Sequence, residues 1–130
     1  MGQPGGLFDA EGHAGQIVDQ LTPVDGETVI GKSLPNSFAG TDLKAKIDAA
    51  GVGQLIVVGF MTHMCVSATV RSAVDHGLFS TVVANACATR DLPSATGGAP
   101  MPAQTIHDAT LAALADRFAV IATGAANVPD

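Results

Sequence analysis

Short runs of consecutive aliphatic or β-branched residues are the feature that most constrains the fold of this chain. Residues 55–58 are four aliphatic residues in succession, a pattern that is typical of a parallel-sheet strand covered on both faces. Similar short runs predict strands over residues 28–30, 81–84 and 118–123. The chain therefore favours a sheet whose strands are separated by longer segments of another kind.

The segments between these runs carry apolar residues at helical spacing. A helix is predicted to follow the N-cap candidate Thr41 and to end at Gly51, which can supply the left-handed residue after a helix. Two further helices are predicted over residues 63–76 and 103–117. Strands that alternate with helices in this way predict parallel pairing through right-handed crossovers.

The predicted element order is βαβαβαβ over residues 27–123, in a single domain of residues 1–130. We expect an α/β protein with a Rossmann-like parallel sheet in a three-layer α/β/α sandwich. Residues 1–26 are punctuated by glycine and proline and predict a loop-rich lead with at most one short helix. Residues 93–102 predict a second loop of the same composition.

The composition excludes several classes of function. Six Lys and Arg residues against 12 Asp and Glu give a net charge of −6, which disfavours nucleic-acid binding. A charged fraction of 14% disfavours intrinsic disorder, and the longest apolar runs are too short for a bilayer. No export signal opens the chain, so we expect a cytoplasmic protein with two free thiols. No Cys/His spacing predicts a structural metal.

Cys65 is the leading candidate for chemistry. It follows the predicted strand 55–58 through a short turn, at the start of a predicted helix. Backbone N–H groups and the helix dipole at that position favour a thiolate and can receive a developing oxyanion. The alternative is a small buried hydrophobic residue, and position alone weighs the two equally. Cys87, flanked by alanines, is expected to fill the core.

Two other residues bear on the role of Cys65. Lys32 ends the first predicted strand and could hold a thiolate or move its proton, although an exposed cation is the favoured interpretation from sequence alone. Arg71 lies at the Cys-x5-Arg spacing of cysteine phosphatases. The residues between Cys65 and Arg71 include no glycine and predict a helix, which makes a phosphatase the remote alternative.

Three blocks of sequence, in the same order, resemble the isochorismatase-like cysteine hydrolases. Residues 32–43 match a K…S-F-x-G-T-x-L block, and residues 51–66 match a G-V…T-x-x-C-V block. Residues 85–90 are similar to the D-A-x-A-x-R block, with Asn85 in place of the usual aspartate. The resemblance runs over residues 8–123.

This resemblance implies a catalytic Asp–Lys–Cys triad in which Cys65 is the nucleophile and Lys32 the lysine. It also implies a cis peptide bond between Phe60 and Met61, with an oxyanion hole formed by the backbone N–H groups of Met61 and Cys65. The expected reaction is hydrolysis of an amide or related C–N bond in a small molecule, without metal or other cofactor. The candidates for the substrate pocket are Phe38, Phe60, Thr62 and His63.

The sequence departs from the family at its first strands. The family's aspartate follows an apolar strand, whereas Asp19 follows a poor strand pattern and aligns with a later family segment. We expect the first two strands of the family sheet to be absent, which would leave apolar sheet edges unpaired and favour self-association as a homo-oligomer. The alternative to an impaired enzyme is a catalytically inactive remnant or an oligomerisation module.

Overall fold

A computed structural model describes residues 5–6, 8–9 and 11–129, except for the side chain of residue 14. The described chain forms three α-helices, three β-strands and one π-helical turn. In chain order these are α1 (Leu43–Ala50), β1 (Gln54–Phe60), the π turn (Thr62–Val66), α2 (Ser67–Asp75), β2 (Phe79–Ala88), α3 (Ala103–Ala115) and β3 (Val120–Ala122).

The three strands form one sheet in the order β1-β2-β3, and both pairs are parallel. Each crossover contains a helix, so the predicted α/β class with a parallel sheet is confirmed. The register between β1 and β2 shifts between Val57 and Gly59. Gly59 has a φ of 114° at this shift, a backbone conformation that favours glycine.

One face of the sheet carries the core. Val57, Val82 and Ile121 are register partners across the three strands, so their side chains share this face. They pack with residues of the π turn, α2 and α3, the buried members being Val66, Val70, Val82, Leu111 and Leu114. A second cluster joins α1 to the same side of β1 through Leu55, around the buried residues Phe38, Ile47, Ala73 and Leu78.

The opposite face of the sheet exposes large apolar side chains. We call this group the open sheet face: Ile56, Val58, Phe60, Phe79 and Val120, which are 54–76% exposed. Val83 and Ala122, also on this side of the strands, are buried. The prediction that residues 55–58 are covered on both faces is therefore wrong for the described residues. Burial alternates along β1 because α1 and α2 contact only the Leu55 and Val57 side.

The predicted strand over residues 28–30 does not form. These residues are irregular, and Val29 is 63% exposed. A β-branched run needs a neighbouring strand to satisfy its backbone groups, and no strand of the described chain lies beside it. The described part of the lead contains two short 3₁₀ turns, His13–Gly15 and Asp19–Leu21, where the sequence predicts at most one short helix.

The helices predicted from sequence all form, with small differences at their ends. Gly51 follows α1 with a φ of 67°, as its predicted role requires. The N-terminus of α3 is capped across the preceding loop, since the backbone N–H of Ala103 donates to Asp91 Oδ1 at 2.8 Å. No helix in the described ranges is long and apolar enough to cross a membrane.

Candidate active site

The turn after β1 places Cys65. The Phe60–Met61 peptide bond is cis, as the family resemblance implies. The chain then forms the π turn, in which the Met61 carbonyl accepts hydrogen bonds from the N–H of Met64 at 3.0 Å and of Val66 at 3.3 Å. Cys65 is half-buried in this turn, one residue before the buried Val66 and two before α2 begins.

Lys32 lies in an irregular segment on the other side of the same region. Its Nζ donates to the carbonyl oxygens of Leu34 at 3.0 Å and Pro35 at 3.1 Å. These two bonds fix the ammonium group although the residue is exposed. Because both partners are uncharged carbonyls, they do not offset the positive charge of the ammonium group, which can act on a neighbouring anion.

Cys65 and Lys32 line the same two cavities. The larger, of about 930 Å³, lies between the open edge of β1 and residues 13–21, and we call it the large cavity. The smaller, of about 180 Å³, is bounded by Leu34, Pro35 and Met64 among others, and we call it the small cavity. Cys65 therefore lies on the wall of both cavities, and the ammonium-bearing side chain of Lys32 lines both as well.

Asp19 is the acidic residue in the described lining of the large cavity. It begins the second 3₁₀ turn of the lead and is exposed. The sequence pattern alone connects it only loosely with the family's aspartate. In the structure it lines the cavity that contains Cys65 and Lys32, but from the lead and not from the end of a strand.

The four predicted pocket residues occupy different surroundings. Phe60 lines the large cavity and is 70% exposed. His63 is half-buried and pairs through Nδ1 with Thr89 Oγ1. Phe38 lies outside both cavities, in the α1–α2 core cluster, where its ring packs against His76 with centroids 4.7 Å apart. This position favours packing over substrate contact for Phe38, because the apolar ring is held between two helices.

Thr62 is fully buried, at 0% exposure. Its Oγ1 donates to the Ala88 carbonyl at 3.0 Å and lies 2.9 Å from His107 Nδ1. A side chain without exposed surface contacts substrate poorly, so this geometry points to a role within the turn itself. His107 gives no signal in the sequence as a partner of Thr62, because 45 residues separate the two.

Cys87 differs from Cys65 in its surroundings. It packs against the core cluster, in agreement with the expected core role. Burial raises the pKa of the Cys87 thiol, and a hydrogen bond from the Gly59 backbone N–H offsets part of this effect. Cys87 is half-buried like Cys65, but a thiol of raised pKa is a weak nucleophile at neutral pH.

Arg71 is engaged away from Cys65. Its guanidinium carbon lies 4.2 Å from the centre of the Phe118 ring, and its Nε donates to Ser67 Oγ at 3.2 Å. Residues Ser67–Asp75 form α2, so the chain between Cys65 and Arg71 is helical and does not wrap a phosphate. The phosphatase hypothesis therefore gains no support. Within the described residues, no group of three or more His, Cys, Asp or Glu could hold a metal ion.

The fold and the site together define a parallel α/β protein in which a cysteine and a lysine line the same cavities beyond the carboxyl end of a strand. A family model for the isochorismatase domain matches residues 1–126, and the chain belongs to the isochorismatase family.

Three relatives illustrate the match. The chain is 45% identical over 108 residues to the uncharacterized isochorismatase family protein YddQ of Bacillus subtilis, covering 83% of this chain and 59% of YddQ. It is 34% identical over 123 residues to a streptothricin hydrolase of Streptomyces noursei, covering 95% of this chain and 42% of the hydrolase. A solved isochorismatase from Pseudomonas putida matches with a TM-score of 0.89 and 44% identity, over 98% of this chain and 65% of that one. The chain thus spans about 40–65% of the length of these relatives.

Proposed function

We propose that this chain supplies the nucleophile, Cys65, and the lysine, Lys32, of an isochorismatase-family cysteine hydrolase that cleaves an amide or related C–N bond in a small molecule. The observation that carries the proposal is that Cys65 and Lys32 line the same two cavities beyond the end of β1. The hydrolase relative, the streptothricin hydrolase, supports the reaction class. A cysteine suits this site better than a serine or threonine as nucleophile. Part of a thiol is already ionised at neutral pH, whereas a hydroxyl needs an adjacent base to remove its proton.

In the proposed mechanism, the Cys65 thiolate attacks the acyl carbon and a carbon–sulfur bond forms. The acyl oxygen becomes an oxyanion, for which the N–H groups of Met61 and Cys65 are the proposed donors. Collapse of this intermediate breaks the C–N bond, and the nitrogen leaves as an amine after it takes a proton from solvent, which replaces the proton that the Cys65 thiol released to solvent on ionising. Water then hydrolyses the thioester, which releases the acid and restores the thiol.

Lys32 has an electrostatic role in this scheme. Its ammonium is held by two backbone carbonyls, so it can stabilise the thiolate without being neutralised by a carboxylate in a salt bridge. The family triad also contains an aspartate, for which the described chain offers no counterpart at a strand end. Loss of a positioned base lowers the rate by roughly 10² to 10⁴. We therefore expect acylation of Cys65 by activated esters to be easier to measure than amide turnover.

The test uses p-nitrophenyl acetate and follows release of p-nitrophenolate. We expect the wild-type chain to release one equivalent rapidly and to hold an acetyl group on Cys65, detected by peptide mass spectrometry. Cys65→Ser is expected to abolish the burst, and Lys32→Met to slow it. Cys87→Ser is the matched control, since it removes the other thiol and is expected to keep the burst. A burst that persists in Cys65→Ser would refute the nucleophile assignment.

The substrate itself is tested with a panel of small primary amides and a coupled assay for ammonia. We expect release of ammonia from at least one amide by the wild-type chain and none by Cys65→Ser. An intact Cys65 burst with no amide hydrolysed would leave an acyl-transfer site without turnover, which is the inactive-remnant alternative.

The open sheet face favours a second candidate function, that of an oligomerisation module. Its five apolar side chains include Phe79 at 76% exposure and Phe60 at 70%, and contiguous exposed apolar surface marks interaction sites. Self-association is measured by light scattering over a concentration series. A mass that stays at that of one chain at all concentrations would exclude self-association.

The cytoplasmic location remains a prediction that fractionation of the producing cell would check.

A further inference from the structure

We propose that Thr62 and His107 are a positioning pair that holds the Cys65 turn in the geometry needed for acyl transfer. The inference rests on the proposed function of Cys65 as nucleophile, and it assigns to α3 a part in the site. Neither residue is placed in contact with the substrate. Both act through the backbone of the turn that carries Met61 and Cys65.

The Thr62 hydroxyl takes part in two hydrogen bonds, and its single hydrogen fixes which partner donates. A threonine hydroxyl has one hydrogen, and that of Thr62 is donated to the Ala88 carbonyl at 3.0 Å. The His107 Nδ1 atom, 2.9 Å from the same oxygen, must then be the donor of the second bond. His107 therefore carries a hydrogen on Nδ1, and the same residue lines a third cavity of about 570 Å³.

These bonds connect the turn to two other elements of the fold. Thr62 follows Met61 and lies three residues before Cys65, and it is tied at once to the end of β2 and to α3. The next residue, His63, makes a parallel tie to Thr89. Two adjacent residues of the turn are thus anchored to two adjacent residues at the end of β2. Of the two anchors, that of Thr62 is the fully buried one.

The position of the turn affects the chemistry because the proposed oxyanion donors belong to it. Donors to an oxyanion must lie about 2.7–3.1 Å from the developing charge, and small shifts of the supporting backbone lose much of their effect. Removal of the Thr62 hydroxyl takes away the buried group that joins the His107 N–H to the Ala88 carbonyl, and with it the link from the turn to β2 and α3. The turn is then expected to relax, which misaligns the N–H groups of Met61 and Cys65.

The test compares Thr62→Val, which replaces the hydroxyl with a methyl group of similar size, with Thr62→Ser, which keeps the hydroxyl. We expect Thr62→Val to lower the maximal rate of the acylation burst with p-nitrophenyl acetate by about tenfold or more, with little change in the ester concentration that gives half of that rate, and Thr62→Ser to restore most of the rate. His107→Asn, whose side-chain N–H can replace Nδ1–H, is expected to retain more activity than His107→Phe. Thr110→Val is the matched control, because its hydroxyl only bonds to Ile106 within α3.

A second readout separates positioning from loss of structure. Alkylation of Cys65 by iodoacetamide displaces iodide and develops no oxyanion, so its rate is expected to change by less than about twofold in Thr62→Val. Acylation and alkylation that fall together would indicate damage to the whole turn and would overturn the positioning role. Equal acylation rates in Thr62→Val and the wild type would overturn it as well.

Amide hydrogen exchange tests the tether without any reaction at Cys65. The Met64 and Val66 N–H groups bond to the Met61 carbonyl in the turn, and their exchange is expected to accelerate by about tenfold in Thr62→Val but not in Thr110→Val. Unchanged exchange would refute the tether even if acylation falls. If the wild type shows no burst while Thr62→Val accelerates exchange, the proposed function fails and the tether stands as a structural one. Should Thr62→Val not fold, the His107 variants give the same comparisons.

Discussion

Leu114 is the residue at which the packing of this fold can be measured most directly. It is at 0% exposure in the cluster that joins α3 to Val66 and Val70. Substitution of Leu114 by Ala removes three buried carbon atoms and leaves a cavity, since α2 and the sheet both pack around this position and limit collapse. Such substitutions cost about 2.7–5.0 kcal/mol, and the complete burial of Leu114 places it near the middle of that range, at about 3–4 kcal/mol.

The assay is urea unfolding followed by circular dichroism. With an m value of about 1.5–2 kcal/mol/M, the midpoint of Leu114→Ala is expected to fall by about 2 M. Leu21→Ala is the matched control, because the same atoms are removed from a side chain that is 71% exposed. Its cost is expected to stay within about 0.5 kcal/mol. If the two substitutions shift the midpoint equally, Leu114 is not in the core and the packing of α3 on the sheet is refuted.

Three further predictions concern the thiols, the lead and the backbone. Because burial raises the pKa of the Cys87 thiol, the folded state binds this proton more tightly than the unfolded state does. The resulting contribution to folding stability is fully present below the ordinary cysteine pKa and is lost as the pH rises through the raised pKa. Iodoacetamide at pH 8 should therefore label Cys65 before Cys87, as peptide mass spectrometry would show; equal rates would contradict this. Backbone N–H donors lower the pKa of Asp9, so its turn should be fully stabilised above the ordinary aspartate value and lost as the pH falls through the lowered pKa, a titration that carboxyl NMR can follow. Gly59→Ala, at a φ of 114°, should cost about 1–3 kcal/mol by urea unfolding, and Gly51→Ala, at 67°, about 1–2 kcal/mol; no cost at either would disprove the strained conformation.

The sequence pattern predicts the helices better than the strands. Helix α1 ends where Gly51 permits a left-handed residue, and that signal is local. A strand depends on partners that lie far away in sequence. The run at 28–30 has the composition of a strand but no neighbour among the described strands, whereas β2 extends from Phe79 to Ala88 because β1 and β3 pair with it. The composition of a segment shows that it can form a strand. Whether it forms one depends on the strands that the rest of the fold places beside it.

The candidate site divides along the same line. The rule that polar groups converge beyond the carboxyl ends of parallel strands places Cys65 after β1. Lys32 reaches the same two cavities from an irregular segment, because the strand predicted before it does not form. The Thr62–His107 bond follows no such rule. It depends on the rotation of α3 about its own axis, which is set by Leu111 and Leu114 as they pack into the core. His107 precedes Leu111 by four residues and lies on the same helical face, so the packing that buries the leucine also directs the histidine to the turn.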